Sequence, residues 1–261
     1  MNGKLRGLLL DFDGTIAETE RFGQRVAYNH AFAELGLDWH WDETLYGELL
    51  AVAGGKERLR YYLERCRPEL LDDAVASGLI VEVHHAKIRH FAKIAPTIPL
   101  RPGLLRLVRE AHAAGVLISI ATTASKRGVE ALLSQDQTLS SMISLIAANE
   151  AVERKKPEPD VYLWALDRLG LKPADCVAIE DSNVGLRAAL AADLPTIVTL
   201  SDYTGADDFA GAGAVLSNLG ERDEPARSLR GLRPNDGLVD LGFLRMIRDS
   251  ANAETASPVK T

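Results

Sequence analysis

The amino-acid sequence predicts an α/β fold, a doubly wound parallel sheet with an all-helical domain inserted into it. Two observations predict the sheet. From about residue 103 onward, short apolar runs alternate with amphipathic helical stretches, the rhythm of parallel strands joined by helices. Near the start, Leu8-Leu9-Leu10 reads as one more such strand, covered on both faces. The third observation predicts the insertion. Nothing between about 20 and 94 has strand character, so some 75 helical residues follow directly on that first strand.

Size and composition agree with this. A chain of 261 residues holds one large domain or two modest ones. Apolar content of 46% and charged content of 26% are those of a globular protein. A formal charge of −7 argues against a nucleic-acid or anionic-membrane surface. Cys66 and Cys176 lack metal-type spacing, and no run approaches the roughly 18 apolar residues of a membrane span. No apolar stretch before the first aspartate suits a signal peptide. A cytoplasmic protein, monomeric and with neither nucleic acid nor membrane as partner, is the expectation.

In order, Leu8–Leu10 runs into Asp11-Phe12-Asp13-Gly14-Thr15. Val26 to Leu35 fits an amphipathic helix that stops at Gly36. Short helices follow around Leu49-Leu50, Leu59 to Leu63 and Leu70 to Val75, then one from about Gly78 to Ile94. Pro96, Pro99 and Pro102-Gly103 mark the return. Helices are expected at about 103–114, 127–134, 159–169 and 183–192, and strands at 116–121, 143–146, 176–179, 196–200 and, last and weakest, 214–216. Leu238 to Ile247 suits a short docking helix. The expected domains are a discontinuous core of residues 1–18 and 97–250, a helical cap of residues 19–96 and a tail at 251–261.

Open α/β sheets bind ligands beyond the carboxyl ends of their strands, and each core strand here ends in polar residues. Alternation sends Asp11 and Asp13 to one side and Phe12 to the other. Two close carboxylates repel unless a cation sits between them or one keeps a proton, and a hard cation such as Mg²⁺ usually arrives with a phosphate. A plain Asp-Gly turn accounts for the same residues. The second strand ends in Thr122, Thr123 and Ser125, with free amides opening the next helix. Lys156 stands at a loop-to-helix junction, and the strand ending at Ile179 delivers Glu180 and Asp181.

With these motifs in this order, the sequence resembles the haloacid dehalogenase superfamily of phosphohydrolases. Asp11-Phe12-Asp13-Gly14-Thr15 looks like its first motif, Thr123 its second, Lys156 its third and Glu180-Asp181 its fourth. The helical insertion matches that superfamily's cap. The resemblance implies a Rossmann-like core and a role for each residue. Asp11 attacks phosphorus and forms an aspartyl-phosphate. Asp13 protonates the leaving oxygen and then activates water, while Thr123 and Lys156 hold the transferring group. Mg²⁺ is implied at Asp11, Asp13 (through its carbonyl) and Asp181, with Glu180 in support.

The resemblance narrows to the CbbY-like branch, which includes xylulose-1,5-bisphosphate phosphatases. It does so at Thr19-Glu20, Asn29, Trp41, Tyr46, Gly54 to Arg58, His84 to Lys87 and Tyr203-Thr204. By that resemblance Glu20, Gly54, Gly55, Lys56, Glu57, Arg58, His84, His85, Lys87, Thr122, Thr123, Ser125, Lys126 and Arg127 contact a sugar bisphosphate, with Arg58, Lys87 and Lys126 taking its second phosphate. One departure stands out. Relatives often carry a histidine about one turn after Glu20, where this chain has Gly23 and Gln24, which tilts against β-phosphoglucomutase chemistry. The alternatives are such a mutase, a broad-range small-molecule phosphatase, and a silent ligand-binding relative.

Overall fold

The computed structural model describes residues 4–52 and 54–256. The chain divides into two compact units, Thr19–Ile98 on one side and Met1–Glu18 with Pro99–Thr261 on the other.

The helical unit opens on a π-helical turn, Glu20–Gln24, and continues with α1 (Arg25–Glu34), α2 (Glu43–Leu49), α3 (Gly55–Cys66), α4 (Leu71–Ala76) and α5 (Leu79–Ile94). Helices α1 and α5 carry its main packing. Its core is aromatic. Tyr28, Phe32, Trp41 and Tyr46 are fully buried, with ring centroids 4.5 Å apart for Tyr28 and Trp41 and 5.1 Å for Phe32 and Trp41. Edge and tilted contacts of this kind add to the stabilisation from area alone. The π-turn was not expected from the sequence. A Cβ at Gly23 would lie 2.6 Å from Ile98 and 2.7 Å from Phe91. A side chain at that position would require Ile98 and Phe91 to shift.

The second unit is a seven-stranded sheet: β1 (Gly7–Leu10), β2 (Leu117–Ala121), β3 (Leu145–Ala147), β4 (Cys176–Glu180), β5 (Thr196–Thr199), β6 (Ala214–Leu216) and β7 (Ser228–Gly231). The spatial order is β3-β2-β1-β4-β5-β6-β7, parallel except for β7. Strand β1, between β2 and β4, is buried throughout, as a three-leucine run between two parallel neighbours requires. Helices α6 (Leu104–Ala113), α7 (Lys126–Leu133), α8 (Gln137–Met142), α9 (Asp160–Leu169), α10 (Asn183–Ala191) and α11 (Leu241–Ala256) complete the unit.

The structure corrects four expectations here. The strand at 143–146 sits at Leu145–Ala147. The strand at 214–216 is not the last, because β7 follows it antiparallel, with an irregular register at Val215/Leu216. Helix α8, absent from the reading, is capped by Asp136, whose side chain accepts from the Leu139 amide. Helix α11 runs on to Ala256, so residues 251–256 are helical rather than tail; residues 257–261 lie outside the described residues. Among the described residues, no helix is long and apolar enough to cross a membrane.

Candidate active site

The chain leaves β1 for β2 on one side and returns to β4 on the other, so the strand order reverses between β1 and β4. Ligands of open α/β sheets bind beyond the carboxyl ends of the strands at such a point. The register fixes what stands there. Leu10 pairs with Ile179, and the Asp11 amide donates to the Ile179 carbonyl at 2.9 Å. Asp11 is therefore level with Glu180, one residue short of Asp181. On the other flank Leu10 pairs with Ile120, which sets Thr122 just past the end of β2.

One carboxylate oxygen from each of Asp11, Glu180 and Asp181 lies within 4.8 Å of the others, and all three residues are buried. Lys156, also buried, donates to Asp11 Oδ1 at 2.6 Å and to Glu180 Oε1 at 2.7 Å. Tyr162, on α9, donates its hydroxyl to the same Glu180 oxygen. Asp13 is half-buried in the tight turn that follows, where the Gly14 amide donates to the Ala17 carbonyl.

Three carboxylates facing one ammonium carry an excess of negative charge in a poorly solvated place. The Asp11 carboxyl is accordingly pushed up to about 8, by burial first, against the pull of Lys156 and with a further push from Glu180. Asp181 is raised by burial, then by Asp11 and Glu180, with a Ser201 hydrogen bond opposing. Burial alone would lower Lys156, but Asp11 and Glu180 hold its ammonium above the ordinary lysine value.

A hard divalent cation fits this donor set, since it prefers oxygen ligands and removes the charge excess. Asp11, Glu180 and Asp181 together could hold such a cation, with Glu180 Oε1 also accepting from Lys156 and Tyr162. Gly14, at φ +83°, keeps the approach open: a Cβ there would run into the Asp181 carboxylate.

The remaining residues expected in this unit divide by role. Thr122 is buried, and its Oγ1 accepts from the Ala124 amide at 2.9 Å. Thr123 is half-buried in the same turn. Ser125 caps α7 by accepting from the Gly128 amide, so its hydroxyl serves the helix. Lys126 and Arg127 are exposed, and Lys126 pairs with Glu130 at 3.7 Å. A cavity of about 700 Å³ at the opposite sheet edge, touching Asp193, Thr196, Ile247 and Asn252, holds none of these groups.

In the helical unit a second polar cluster forms around the aromatic core. Tyr46 donates its hydroxyl to the Glu20 carboxylate and accepts from Arg58 Nη1 at 3.1 Å. Arg58 and Glu20 are 3.8 Å apart. The Lys87 ammonium stands 5.3 Å from the centre of the Tyr28 ring, a cation–π distance. Tyr28 donates to the Gly55 carbonyl at 3.0 Å, which pins the Gly54-Gly55 start of α3. A Cβ on Gly55 would meet the His84 ring at 2.7 Å. The His84 imidazole is drawn down to about 4, by burial first and then by Lys87 and Lys56. Lys56, Glu57 and His85 are exposed.

Nothing in the sequence marks Tyr162 or Ser201 as site residues. A buried tyrosine on an amphipathic helix and a serine in a loop look the same whether or not they touch an acid. Packing of α9 on the sheet and the pairing of β5 with β4 bring them to Glu180 and Asp181.

Residues 5–193 match the haloacid dehalogenase-like hydrolase family. The chain is 46% identical over 225 residues to the plasmid-borne protein CbbY of Cupriavidus necator, covering 85% of this chain and 88% of that protein. The crystal structure of a variant of CbbY from Rhodobacter sphaeroides in complex with xylulose-(1,5)bisphosphate is similar, with a TM-score of 0.74 and 39% identity over 84% of this chain and 96% of that one. β-Phosphoglucomutase from Clostridium difficile shares the fold, with a TM-score of 0.70 at 17% identity over 95% of this chain and 99% of that one.

Proposed function

The chain belongs to the haloacid dehalogenase-like hydrolases and is a phosphatase-type enzyme of the CbbY-like kind, and from that premise we propose that it hydrolyses a sugar bisphosphate, xylulose 1,5-bisphosphate first among them. The observation that carries the reading is the meeting of Asp11, Lys156, Glu180 and Asp181 where the strand order reverses.

In this reading a carboxylate oxygen of Asp11 forms a bond to phosphorus as the ester oxygen leaves, giving an aspartyl-phosphate. Asp13 hands its proton to the leaving sugar oxygen. It then takes a proton from the water that attacks the same phosphorus, which releases phosphate and frees Asp11. Lys156 and Thr123 steady the transferring group, whose displacement needs positioning and charge neutralisation above all. Mg²⁺ held by Asp11, Asp181 and the Asp13 carbonyl, with Glu180 in support, would supply positive charge to the phosphate oxygens.

Substrate recognition is assigned to Glu20, Gly54 to Arg58, His84 to Lys87 and Thr122 to Arg127. Arg58, Lys87 and Lys126 are the cations for the remote phosphate, and binding energy from that phosphate is available to the reacting one. The crowded glycine at position 23 speaks against a mutase that uses a histidine there. A cytoplasmic monomer with a sugar phosphate as its only partner completes the reading.

The test is a panel of phosphate esters with free-phosphate detection. Turnover of xylulose 1,5-bisphosphate well above that of hexose monophosphates and phosphoglycolate is expected. Equal rates across the panel would sink the narrow substrate, and no release from any ester would sink the phosphatase.

A further inference from the structure

We propose that Tyr162 is a positioning residue for phosphoryl transfer: its hydroxyl, given to Glu180, sets how Lys156 divides its charge between Glu180 and the nucleophile Asp11. This rests on the phosphatase reading and deepens it.

Glu180 Oε1 takes two hydrogen bonds, one from Lys156 Nζ at 2.7 Å and one from Tyr162 Oη. Its other oxygen faces the Asp181 amide at 3.3 Å, and a Cβ on Gly185 would strike the carboxylate. Glu180 is thus held from α9, α10 and its own strand, with no exposure to water. The Tyr162 ring also faces the lysine, with Nζ 5.0 Å from the ring centre. Phenylalanine would fill the same volume without burying a hydroxyl, and a buried hydroxyl is costly unless paired. Among the described residues, this phenol pairs with the acid that anchors the lysine.

The consequence concerns the lysine. An ammonium offers three donors and behaves as a point charge. If the phenol were removed, Glu180 would have lysine alone on Oε1 and would draw Nζ toward itself. With the phenol present, a neutral donor meets part of that demand. Nζ then stays shared with Asp11 at 2.6 Å, on the side where the phosphoryl oxygens would come. The ring adds a face that keeps the ammonium from swinging away.

Tyr162→Phe keeps the ring and removes only the hydroxyl. We expect kcat on the best substrate to fall about 10- to 100-fold, as for loss of a hydrogen bond to a charged group, with KM changing less than about threefold. The melting temperature and circular dichroism should stay close to wild type, and orthophosphate should bind several-fold more weakly by calorimetry. A folded Tyr162→Phe with wild-type kcat and phosphate affinity overturns the inference. Should wild type itself release no phosphate from any ester, the phosphatase reading has failed instead, and the orthophosphate titration alone then decides the role of Tyr162. Should Tyr162→Phe not fold, a single 3-fluorotyrosine at position 162 keeps the shape and alters only the donor strength. An unchanged kcat there overturns the inference as well.

Discussion

The two units concentrate opposite charges in opposite settings. The sheet unit collects carboxylates at strand ends, where register forces them together and burial denies them water, and one lysine cannot balance them. The helical unit collects cations around aromatic rings, and these are balanced locally: Arg58 by Glu20 and Tyr46, Lys87 by the faces of Tyr28 and Phe91. Acids crowded at one point ask for a cation and shift upward. Bases spread over helices leave a neutral histidine among them, shifted downward. The first arrangement calls for a further cation, whereas the second is balanced where it stands.

The largest effect should come from the point of greatest crowding. Asp11→Asn removes the proposed nucleophile, and turnover should drop by several orders of magnitude, to background. The metal-free variant should also melt higher than wild type, since one buried carboxylate is gone. Phosphate release and a thermal melt check both, and a lower melting point would break the claim that the site is overcharged.

Lys156→Met comes next. It removes the ammonium that two buried carboxylates share, and breaking a buried pair in this way costs about 3–5 kcal/mol. Denaturant titration at neutral pH measures the loss, which added Mg²⁺ should partly restore.

The pH response separates the two units. Asp11 and Asp181 have folded-state values above the unfolded one, so between pH 4 and about 8 the native state holds more protons than the unfolded chain. Stability from these groups therefore falls as pH rises. The metal-free protein should melt lower at pH 8 than at pH 5, and Mg²⁺ should raise the midpoint more at pH 8. A midpoint that rises with pH in metal-free buffer would contradict the assignment.

His84 works the other way and more weakly. Its folded-state value of about 4 lies below the ordinary 6.5, so its contribution grows with pH between those values. His84→Gln should flatten the acid limb of the stability profile slightly without moving the alkaline one, in the same melts repeated across pH.

Much of the sheet unit was legible because its signals are local. Leu8–Leu10, the run before Ala121 and Val177–Ile179 each show a buried parallel strand by composition, and Asp11, Thr122 and Glu180 mark where each one stops. The edge strand Ser228–Gly231 was not legible. It is four residues long, holds an arginine, is largely exposed, and owes its pairing to β6 rather than to its own sequence. Helix α8 has one turn and a half, too short for periodicity to register. At the π-turn Glu20–Gln24, Gly23 lies close against Phe91 and Ile98, a contact some 70 residues away in the chain.

The sequence by itself determined the strand-and-helix rhythm, the place of the insertion and the acidic tips of β1 and β4, because these depend on neighbours within a few residues. Tertiary structure alone decided that Asp11 lies level with Glu180, that Lys156 spans the two, and that Tyr162 and Tyr46 give their hydroxyls to acids. A side chain's partner across the sheet or bundle follows from register and packing between distant segments, and no spacing along the chain encodes it.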